Sequence, residues 1–354
     1  MVELAPFIIV FALSFSIALL AGPVAQWLGR RYNIIAVAGG RRLNEGDKRG
    51  VSKLGGLCLF LGFTLTVLVA QLLPVPRLDP YEIIRLAGLL LGGVFIFAVG
   101  ILDDLFNLRS FPQFLGQFIA AGIAISFQIF IEYINNPFTG QQTDPWPFIF
   151  TVAVSFFWLI GMMNTVNWLD GADGLAGGVA LIAGATLFIN SAFVLSPPQT
   201  SVSLLMLALM GSSLGFLLYN FYPARIFMGG GAVYLGYLLG TLSIIGGAKM
   251  ATILLVMGLP LLDVGWQILN RLRQGRSPFD GDRGHIHFRL LDLGFSQRQI
   301  VIGYYAFCAL FGGINLLVES QMFKFLAMGV MFALAVVGFA FVARSGQAGS
   351  SKSS

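Results

Sequence analysis

The sequence predicts an all-α, polytopic integral membrane protein with about eleven transmembrane helices. Of its 354 residues, 57% are hydrophobic and only 10% are charged, whereas soluble domains carry roughly 25% charged residues. Runs of about 20 apolar residues, the length that crosses a bilayer, recur along the whole chain. Both cysteines, Cys58 and Cys308, lie in apolar runs, which argues against a disulfide framework or a metal–thiolate site.

Eleven apolar runs divide the chain. The predicted spans are 5–28, 54–73, 84–102, 112–132, 146–162, 174–195, 201–219, 230–247, 249–269, 299–318 and 323–342. No fixed-period repeat or soluble domain is visible. We therefore predict one transmembrane domain over residues 1–343 and a disordered cytoplasmic tail of small polar residues over 344–354.

Lysine and arginine concentrate on one side of the predicted membrane. If the spans alternate in direction, one side holds Arg30, Arg31, Arg41, Arg42, Lys48, Arg49, Lys53, Arg109, Arg225, Arg271, Arg273, Arg276, Arg283, Arg289, Arg298, Arg344 and Lys352. The other side holds Arg77, Arg85, Lys249 and Lys324. Because cytoplasmic loops are enriched in basic residues, the first side is predicted to face the cytoplasm, with the N-terminus outside and the C-terminus inside.

The stretch NTVNWLDGADGLAGG, Asn164–Gly178, places two carboxylates, two side-chain amides and several glycines between hydrophobic runs. Asn164 and Asn167 are three residues apart, as are Asp170 and Asp173. The glycines favour a loop whose backbone can approach a ligand closely. Carboxylate and amide oxygens beside exposed N–H groups suit a hydrated Mg²⁺ that carries a diphosphate. The alternative is a polar turn between two membrane helices.

A second candidate is the aspartate pair in GILDDLFNL, Asp103 and Asp104. Adjacent carboxylates repel each other at a membrane boundary unless a cation or a proton offsets the repulsion. We predict that one acts as a base toward a phosphate nucleophile, or orients it, while its neighbour helps to hold Mg²⁺. The alternative is a pair of helix-end residues solvated at the interface.

Both histidines lie in SPFDGDRGHIHFRLLDLGFSQRQ, Ser277–Gln299. Zinc would usually require further cysteine or histidine ligands, and none is nearby. Arg283, Arg289, His285 and His287 instead form a donor cluster suited to phosphate oxygens. A topology signal alone would explain the arginines but not the histidines.

Two further features are open to more than one interpretation. Asp263 lies in the apolar run GLPLLDVGWQILNR, where an ionisable residue is a functional candidate by default; a structural ion pair or hydrogen bond is the alternative. Trp158, Trp168 and Trp266 are interpreted as interface anchors.

All three polar clusters fall on the predicted cytoplasmic side, which favours an active site there. A transporter would be expected to place its polar groups near the middle of the bilayer.

Together these motifs resemble the polyprenyl-phosphate N-acetylhexosamine-1-phosphate transferases, the MraY/WecA-like glycosyltransferase 4 family. The resemblance runs from about Arg42 to Gln299 and includes YNFYPARIFMG. The H-x-H-x-R core is more similar to the branch that transfers GlcNAc-1-phosphate from UDP-GlcNAc to undecaprenyl phosphate than to the peptidoglycan branch. The resemblance implies transfer of a sugar-1-phosphate from a UDP-sugar to a polyprenyl phosphate carrier, with Mg²⁺ and release of UMP.

The resemblance also assigns roles to residues. Asn167 would be a magnesium ligand, Asp170 and Asp173 would lie in the nucleotide-sugar site, and the histidines would face the diphosphate. The full candidate set is catalytic Asp103, Asp104, Asp170 and His285; substrate-binding Asn164, Asp173, Arg283, His287, Arg289 and Lys53; and metal-binding Asn167. The implied location is the inner (plasma) membrane with a cytoplasmic active face. No nucleic-acid partner is expected, and a homodimer is left open.

Four departures from the family pattern bear on the chemistry. Gly230 stands where a metal-binding aspartate is expected, Gln113 replaces a lysine, Lys53 replaces an arginine, and Phe288 replaces a third histidine. Losing a carboxylate should weaken binding of Mg²⁺, which is held by only one or two of them. The chain is therefore predicted to be a transferase, with a catalytically impaired paralogue as the alternative, and Gly230→Asp is expected to raise metal affinity.

Overall fold

The computed structural model describes residues 4–36, 50–246, 250–276 and 284–350, with side chains described as far as residue 340. Within these ranges the fold is all-helical, with only isolated β-bridges and no strand. The helices are α1 (Leu4–Arg31), α2 (Gly56–Ala70), α3 (Glu82–Phe106), α4 (Ser110–Ser126), α5 (Phe148–Leu169), α6 (Leu175–Ile189, continued by a π-helical turn Asn190–Val194), α7 (Thr200–Asn220), α8 (Gly231–Ile245), α9 (Met250–Val256), α10 (Gly258–Arg273), α11 (Ile286–Asp292), α12 (Gln297–Leu317) and α13 (Gln321–Ser350).

Seven helices in the described ranges are long and apolar enough to cross a membrane, or eight if the bent pair α9–α10 is one span. The multi-pass membrane fold is thereby confirmed, whereas the predicted count of eleven is not. Helices α2 and α8 are apolar but have only 15 residues each. At 1.5 Å per residue such a helix is about 22 Å long, shorter than the hydrocarbon core of roughly 30 Å.

The predicted span 249–269 is broken into α9 and α10, which meet at 77°. Pro260 is the third residue of α10. A proline lacks the N–H that would continue the preceding helix, and its ring clashes with the carbonyl four residues earlier, so α9 cannot run on through it. The bend carries Asp263 to the histidine segment, where its carboxylate meets His285.

The core of the bundle includes a seam where α1, α2 and α7 pack closely. Ser14 donates a hydrogen bond to the Ala208 carbonyl at 2.6 Å, and its hydroxyl also lies 3.1 Å from the Gly62 carbonyl oxygen. A Cβ added at Gly211 would lie 2.7 Å from the Phe11 carbonyl oxygen. Small residues at such crossings let membrane helices approach until their backbones touch.

At one end of the bundle, the segment before α2 pairs with the α7–α8 loop. Phe227 donates its N–H to the Ser52 carbonyl at 2.8 Å, and Gly55 donates to the Phe227 carbonyl at 2.9 Å. A Cβ added at Gly229 would run into the Lys53 carbonyl oxygen and the Asp104 carboxylate. This pairing places Lys53 and the start of α8 beside the aspartates that end α3.

The opposite end of the bundle is tied by a separate set of polar contacts. Glu82 accepts from Arg77 at 2.7 Å and from the Ser201 hydroxyl at 2.8 Å. Asp79 pairs with Arg85 at 2.7 Å and accepts the Tyr81 N–H at 2.9 Å. These carboxylates are hydrogen-bonded and lie near the first residue of α3, at the opposite end of that helix from Asp103 and Asp104.

Helix α13 continues to Ser350, into the predicted tail 344–354. Helical structure over 344–350 differs from the disorder expected from small polar residues. Residues 351–354 lie outside the described ranges, and the division into one domain and a tail stays a prediction.

Candidate functional site

Helix α3 ends in the aspartate pair. Asn107 adopts a left-handed conformation with φ 48° and terminates the helix, which leaves the pair in its last turn. Gln113 at the start of α4 donates its side-chain N–H to Asp103 Oδ1 at 2.8 Å. The Gly230 N–H donates to Asp104 Oδ2 at 2.8 Å. Both carboxylates are therefore oriented by donors from other segments.

Gly230 does not occupy the position of a metal ligand. Its Cα faces the α3 backbone, so an added Cβ would overlap the carbonyl group of Gly100. A side chain at Gly100 would be obstructed in the same way, because its Cβ would lie 2.6 Å from the Gly230 carbonyl oxygen. The expectation that Gly230→Asp would restore a ligand is therefore wrong, because the new side chain would enter the α3–α8 contact. Gly230 contributes its N–H to Asp104 instead.

A pair of glutamines on α4 connects the aspartate pair to α5. Gln113 binds Asp103, and Gln117, one turn further on, is buried. Asn164 of α5 donates to Gln117 Oε1 at 2.6 Å. Sequence reasoning missed Gln117; the signal was a second amide four residues after Gln113 in an apolar helix, where such pairs share a face.

The aspartate loop follows α5 directly, and both of its carboxylates are buried. Asp173 Oδ2 accepts the Ala224 N–H at 2.9 Å, which ties the loop to the segment between α7 and α8. Gly174 has φ +83° and donates its N–H to Asn220 Oδ1 at 3.0 Å. Asp173 therefore makes a hydrogen bond that holds two segments together, in addition to its predicted role in substrate binding. Asp170 is the C-cap residue of α5.

The histidine segment packs onto this loop. His287 is fully buried, and a Cβ added at Gly171 would lie 2.5 Å from its Nε2. Its ring is nearly parallel to that of His285, with 5.7 Å between centroids and 12° between planes. The structure therefore packs His287 against Gly171, the residue after Asp170, and places His285 beside His287. This contact agrees with the prediction that the two motifs lie on the same side of the membrane.

Trp168 belongs to the same cluster, although the sequence indicated an interface anchor. Its ring centroid lies 5.8 Å from that of His285. The Arg271 guanidinium carbon lies 5.3 Å from the Trp168 ring centroid, and Arg271 is only 2% exposed. A buried arginine over an indole is a cation–π contact, so Arg271 is more than a topology signal.

Three of the predicted substrate-binding residues remain to be placed. Arg289 is half-buried and donates from Nε to the Gly284 carbonyl at 2.8 Å. Lys53 is half-buried and adjoins Gly229. Arg283 lies outside the residues that the structure describes.

The oxygen donors at this end of the bundle suit Mg²⁺ in chemical type. They are Asp103, Asp104, Asn167 and Asp170, and the half-buried Asn167 side chain has no hydrogen bond to another described residue. No three histidine, cysteine or acidic side chains of the described ranges cluster closely enough to hold a metal alone. Because Mg²⁺ is usually held by one or two carboxylates together with waters and substrate phosphates, the set fits an ion that arrives with a diphosphate.

Burial of His287 makes stability depend on pH. Desolvation lowers the pKa of His287 from 6.5 to about 4. As the pH falls, the unfolded chain therefore binds a proton at a higher pH than the folded chain does. The free energy of unfolding is consequently highest above pH 6.5 and decreases as the pH drops toward 4. The expected loss is about 3 kcal/mol. In thermal unfolding between pH 7 and 4, His287→Gln should show a shallower acid slope than the parent protein; equal slopes would contradict the assignment.

Comparison with known proteins gives one family match and a set of curated relatives. Residues 86–247 match the family model described as Glycosyl transferase family 4. The probable undecaprenyl-phosphate N-acetylglucosaminyl 1-phosphate transferase of Bacillus subtilis (strain 168) is 27% identical over 336 residues, which cover 93% of this chain and 89% of that protein.

Two other relatives have a different carrier or a different transferred group in their names. The decaprenyl-phosphate N-acetylglucosaminephosphotransferase of Mycobacterium tuberculosis (strain ATCC 25618 / H37Rv) is 30% identical over 276 residues, covering 72% of this chain and 68% of that protein. The phospho-N-acetylmuramoyl-pentapeptide-transferase of Staphylococcus aureus (strain Newman) is 31% identical over 289 residues, covering 76% and 85% respectively.

Proposed function

Because this chain belongs to glycosyl transferase family 4, a family of phosphosugar transferases, we propose that it transfers GlcNAc-1-phosphate from UDP-GlcNAc to undecaprenyl phosphate and releases UMP. The reaction would take place at the cytoplasmic face of the inner membrane, as the first lipid-linked step of cell-envelope glycan synthesis. The carrier and the transferred group are those in the name of the Bacillus subtilis relative, and the UDP-linked donor is the one that the family resemblance implies. No feature of the described residues argues for the homodimer.

One observation carries the proposal: three motifs from distant parts of the chain meet at the basic end of the bundle. Asp104 accepts the N–H of Gly230, Asp173 accepts the N–H of Ala224 in the same α7–α8 connection, and His287 packs on Gly171. A donor diphosphate and a carrier phosphate would both find cations and hydrogen-bond donors there, with the apolar bundle beside them for the isoprenoid chain.

The side chains divide the work of phosphoryl transfer. Mg²⁺, when bound, would neutralise the diphosphate, and Asp104, Asn167 and Asp170 are the residues that would hold it. Asp103 keeps the attacking carrier phosphate deprotonated. Gln113 orients the Asp103 carboxylate through a hydrogen bond. Because glutamine is neutral, it leaves the negative charge of Asp103 in place, whereas the lysine expected at this position would offset that charge. Lys53, Arg289 and His285 offset the charge that develops on the departing UMP.

The second candidate function is a catalytically impaired paralogue that binds lipid phosphate or UDP-sugar. The observation in its favour is Gly230, which supplies an N–H where the family pattern supplies a carboxylate. Membranes or purified protein given UDP-GlcNAc and undecaprenyl phosphate should release UMP with Mg²⁺ and much less with EDTA. Binding of either substrate without any UMP release would favour the impaired paralogue.

The proposed orientation predicts which loops are accessible from outside the cell. Thr139, between α4 and α5, and Gln274, after α10, are both exposed, while the native Cys58 and Cys308 are buried. A membrane-impermeant thiol reagent should label Thr139→Cys in intact cells, and Gln274→Cys only after permeabilisation. The reverse pattern would invert the topology and place the site on the wrong face for a nucleotide donor.

A further inference from the structure

Asp263 is a buried carboxylate with both oxygens directed at the histidine segment. Oδ2 lies 3.0 Å from His285 Nδ1, and Oδ1 accepts the Ile286 N–H at 3.0 Å. Asp263 and His285 are each 5% exposed. Because an ionised carboxylate only accepts hydrogen bonds, this contact requires a proton on His285 Nδ1.

The rest of the His285 environment holds the ring in place without using its second nitrogen. Trp168 of α5 and His287 of α11 lie on the ring, with centroid distances of 5.8 and 5.7 Å. Within the described residues, Nε2 has no hydrogen-bond partner. Nε2 is therefore the atom of His285 that remains for a ligand.

We propose that Asp263 is a positioning residue for phosphoryl transfer, which fixes His285 with its proton on Nδ1 and presents Nε2 to the donor diphosphate. The inference rests on the proposed function. As the carrier oxygen bonds to the β-phosphorus, the bond from that phosphorus to the UMP oxygen breaks, and its electron pair stays on UMP. Nε2, which is bare in the resting tautomer, takes a proton from solvent and donates it in a hydrogen bond to the UMP oxygen, which offsets this charge, while Asp263 balances the resulting imidazolium.

Asp263→Asn tests the idea with little change of shape. The Ile286 N–H needs an acceptor, so the new amide should turn its oxygen toward Ile286 and its NH₂ toward His285. The NH₂ group then forces Nδ1 to act as the acceptor, and the ring proton moves to Nε2. The substitution thus inverts the tautomer and leaves the hydrogen-bond count unchanged.

The tautomer can be read directly because the chain contains only two histidines. Labelling with ¹⁵N-histidine gives four ring-nitrogen resonances, and His287→Gln identifies the pair that belongs to His285. In its neutral form, His285 of the parent protein should show a protonated Nδ1 and a bare Nε2. Asp263→Asn should show the reverse.

Activity gives the second readout. Asp263→Asn should lower kcat for UMP release by roughly 10²–10⁴-fold, the range found when a carboxylate that orients a catalytic histidine is made neutral. KM for UDP-GlcNAc should change little, since the interaction that is lost acts mainly in the transition state.

Asp79→Asn is the matched control. Asp79 likewise accepts a backbone N–H with one oxygen, from Tyr81 at 2.9 Å, and pairs with a side chain through the other, Arg85 at 2.7 Å. It lies at the opposite end of the bundle, so its neutral variant should keep the parent kcat and the parent histidine spectrum.

The outcomes separate this inference from the proposed function. An inverted tautomer together with a selective loss of kcat supports the positioning role. A neutral His285 in the parent protein with its single proton on Nε2, or an Asp263→Asn variant with the parent kcat, overturns it. If the parent protein releases no UMP, the proposed function fails; a proton on His285 Nδ1 that moves to Nε2 in Asp263→Asn would then still support the positioning of His285 by Asp263.

Discussion

Asp104→Asn is expected to reduce sugar-phosphate transfer by at least about 10²-fold and to leave the fold intact. The Asp104 carboxylate accepts the Gly230 N–H at 2.8 Å, and an asparagine oxygen can accept the same bond. The joint between α3 and α8 is therefore kept, while the negative charge that would help to hold Mg²⁺ is lost. UMP release per folded protein is the measurement, with thermal unfolding as the check on folding.

Glu82→Gln is the control for this variant, because Glu82 is the first residue of α3 and Asp104 lies in its last turn. Across the 25 residues of α3 the two carboxylates are separated by roughly 35 Å. Glu82→Gln weakens the contact with Arg77 and can lower the unfolding temperature, but the activity of the folded fraction should equal that of the parent. Full activity in Asp104→Asn would remove Asp104 from the catalytic set.

Gly230→Asp is expected to destabilise the protein and to bring no gain in Mg²⁺ affinity. The added Cβ would meet the Gly100 carbonyl on α3, and backbone atoms can yield only if the two helices separate. Overpacking of a close contact costs about 1–3 kcal/mol or more. Gly230→Ala should show most of the same loss, because the obstruction begins at Cβ.

Gly161→Ala provides the comparison for these glycine variants. Gly161 lies inside α5, and a Cβ added at this position would have no atom of a neighbouring element within 4 Å among the described residues. Replacing glycine by alanine in a helix interior typically stabilises by up to about 1 kcal/mol. Should Gly230→Asp unfold at the parent temperature and bind Mg²⁺ more tightly, the close α3–α8 contact would be refuted and Gly230 would return to the ligand position.

Much of the architecture follows from composition and periodicity. Apolar runs predicted a multi-pass helical membrane protein, although not the number of spans, and the distribution of basic residues placed Asp103, Asp170 and His285 on one side. The structure brings the histidine segment onto the aspartate loop at Gly171. Such convergence is predictable because all loops on one side of the membrane lie at the same end of the helical bundle.

The contacts that the sequence did not predict depend on residues far apart in the chain. Gly230 could not be interpreted correctly without the approach of Gly100, and no local pattern encodes that contact. Trp168 was expected at the membrane interface, yet it packs on Arg271 and His285. In both cases tertiary packing decides the role of a residue whose local sequence favours another interpretation.

The most direct test of the central claim follows the β-phosphate of the donor. UDP-GlcNAc labelled with ³²P at the β-phosphate should transfer its label to the undecaprenyl carrier, with one UMP released for each labelled lipid. Asp104→Asn should abolish both signals, and Asp79→Asn should preserve them. Release of labelled UDP, with sugar but no ³²P on the lipid, would contradict the proposed phosphoryl transfer.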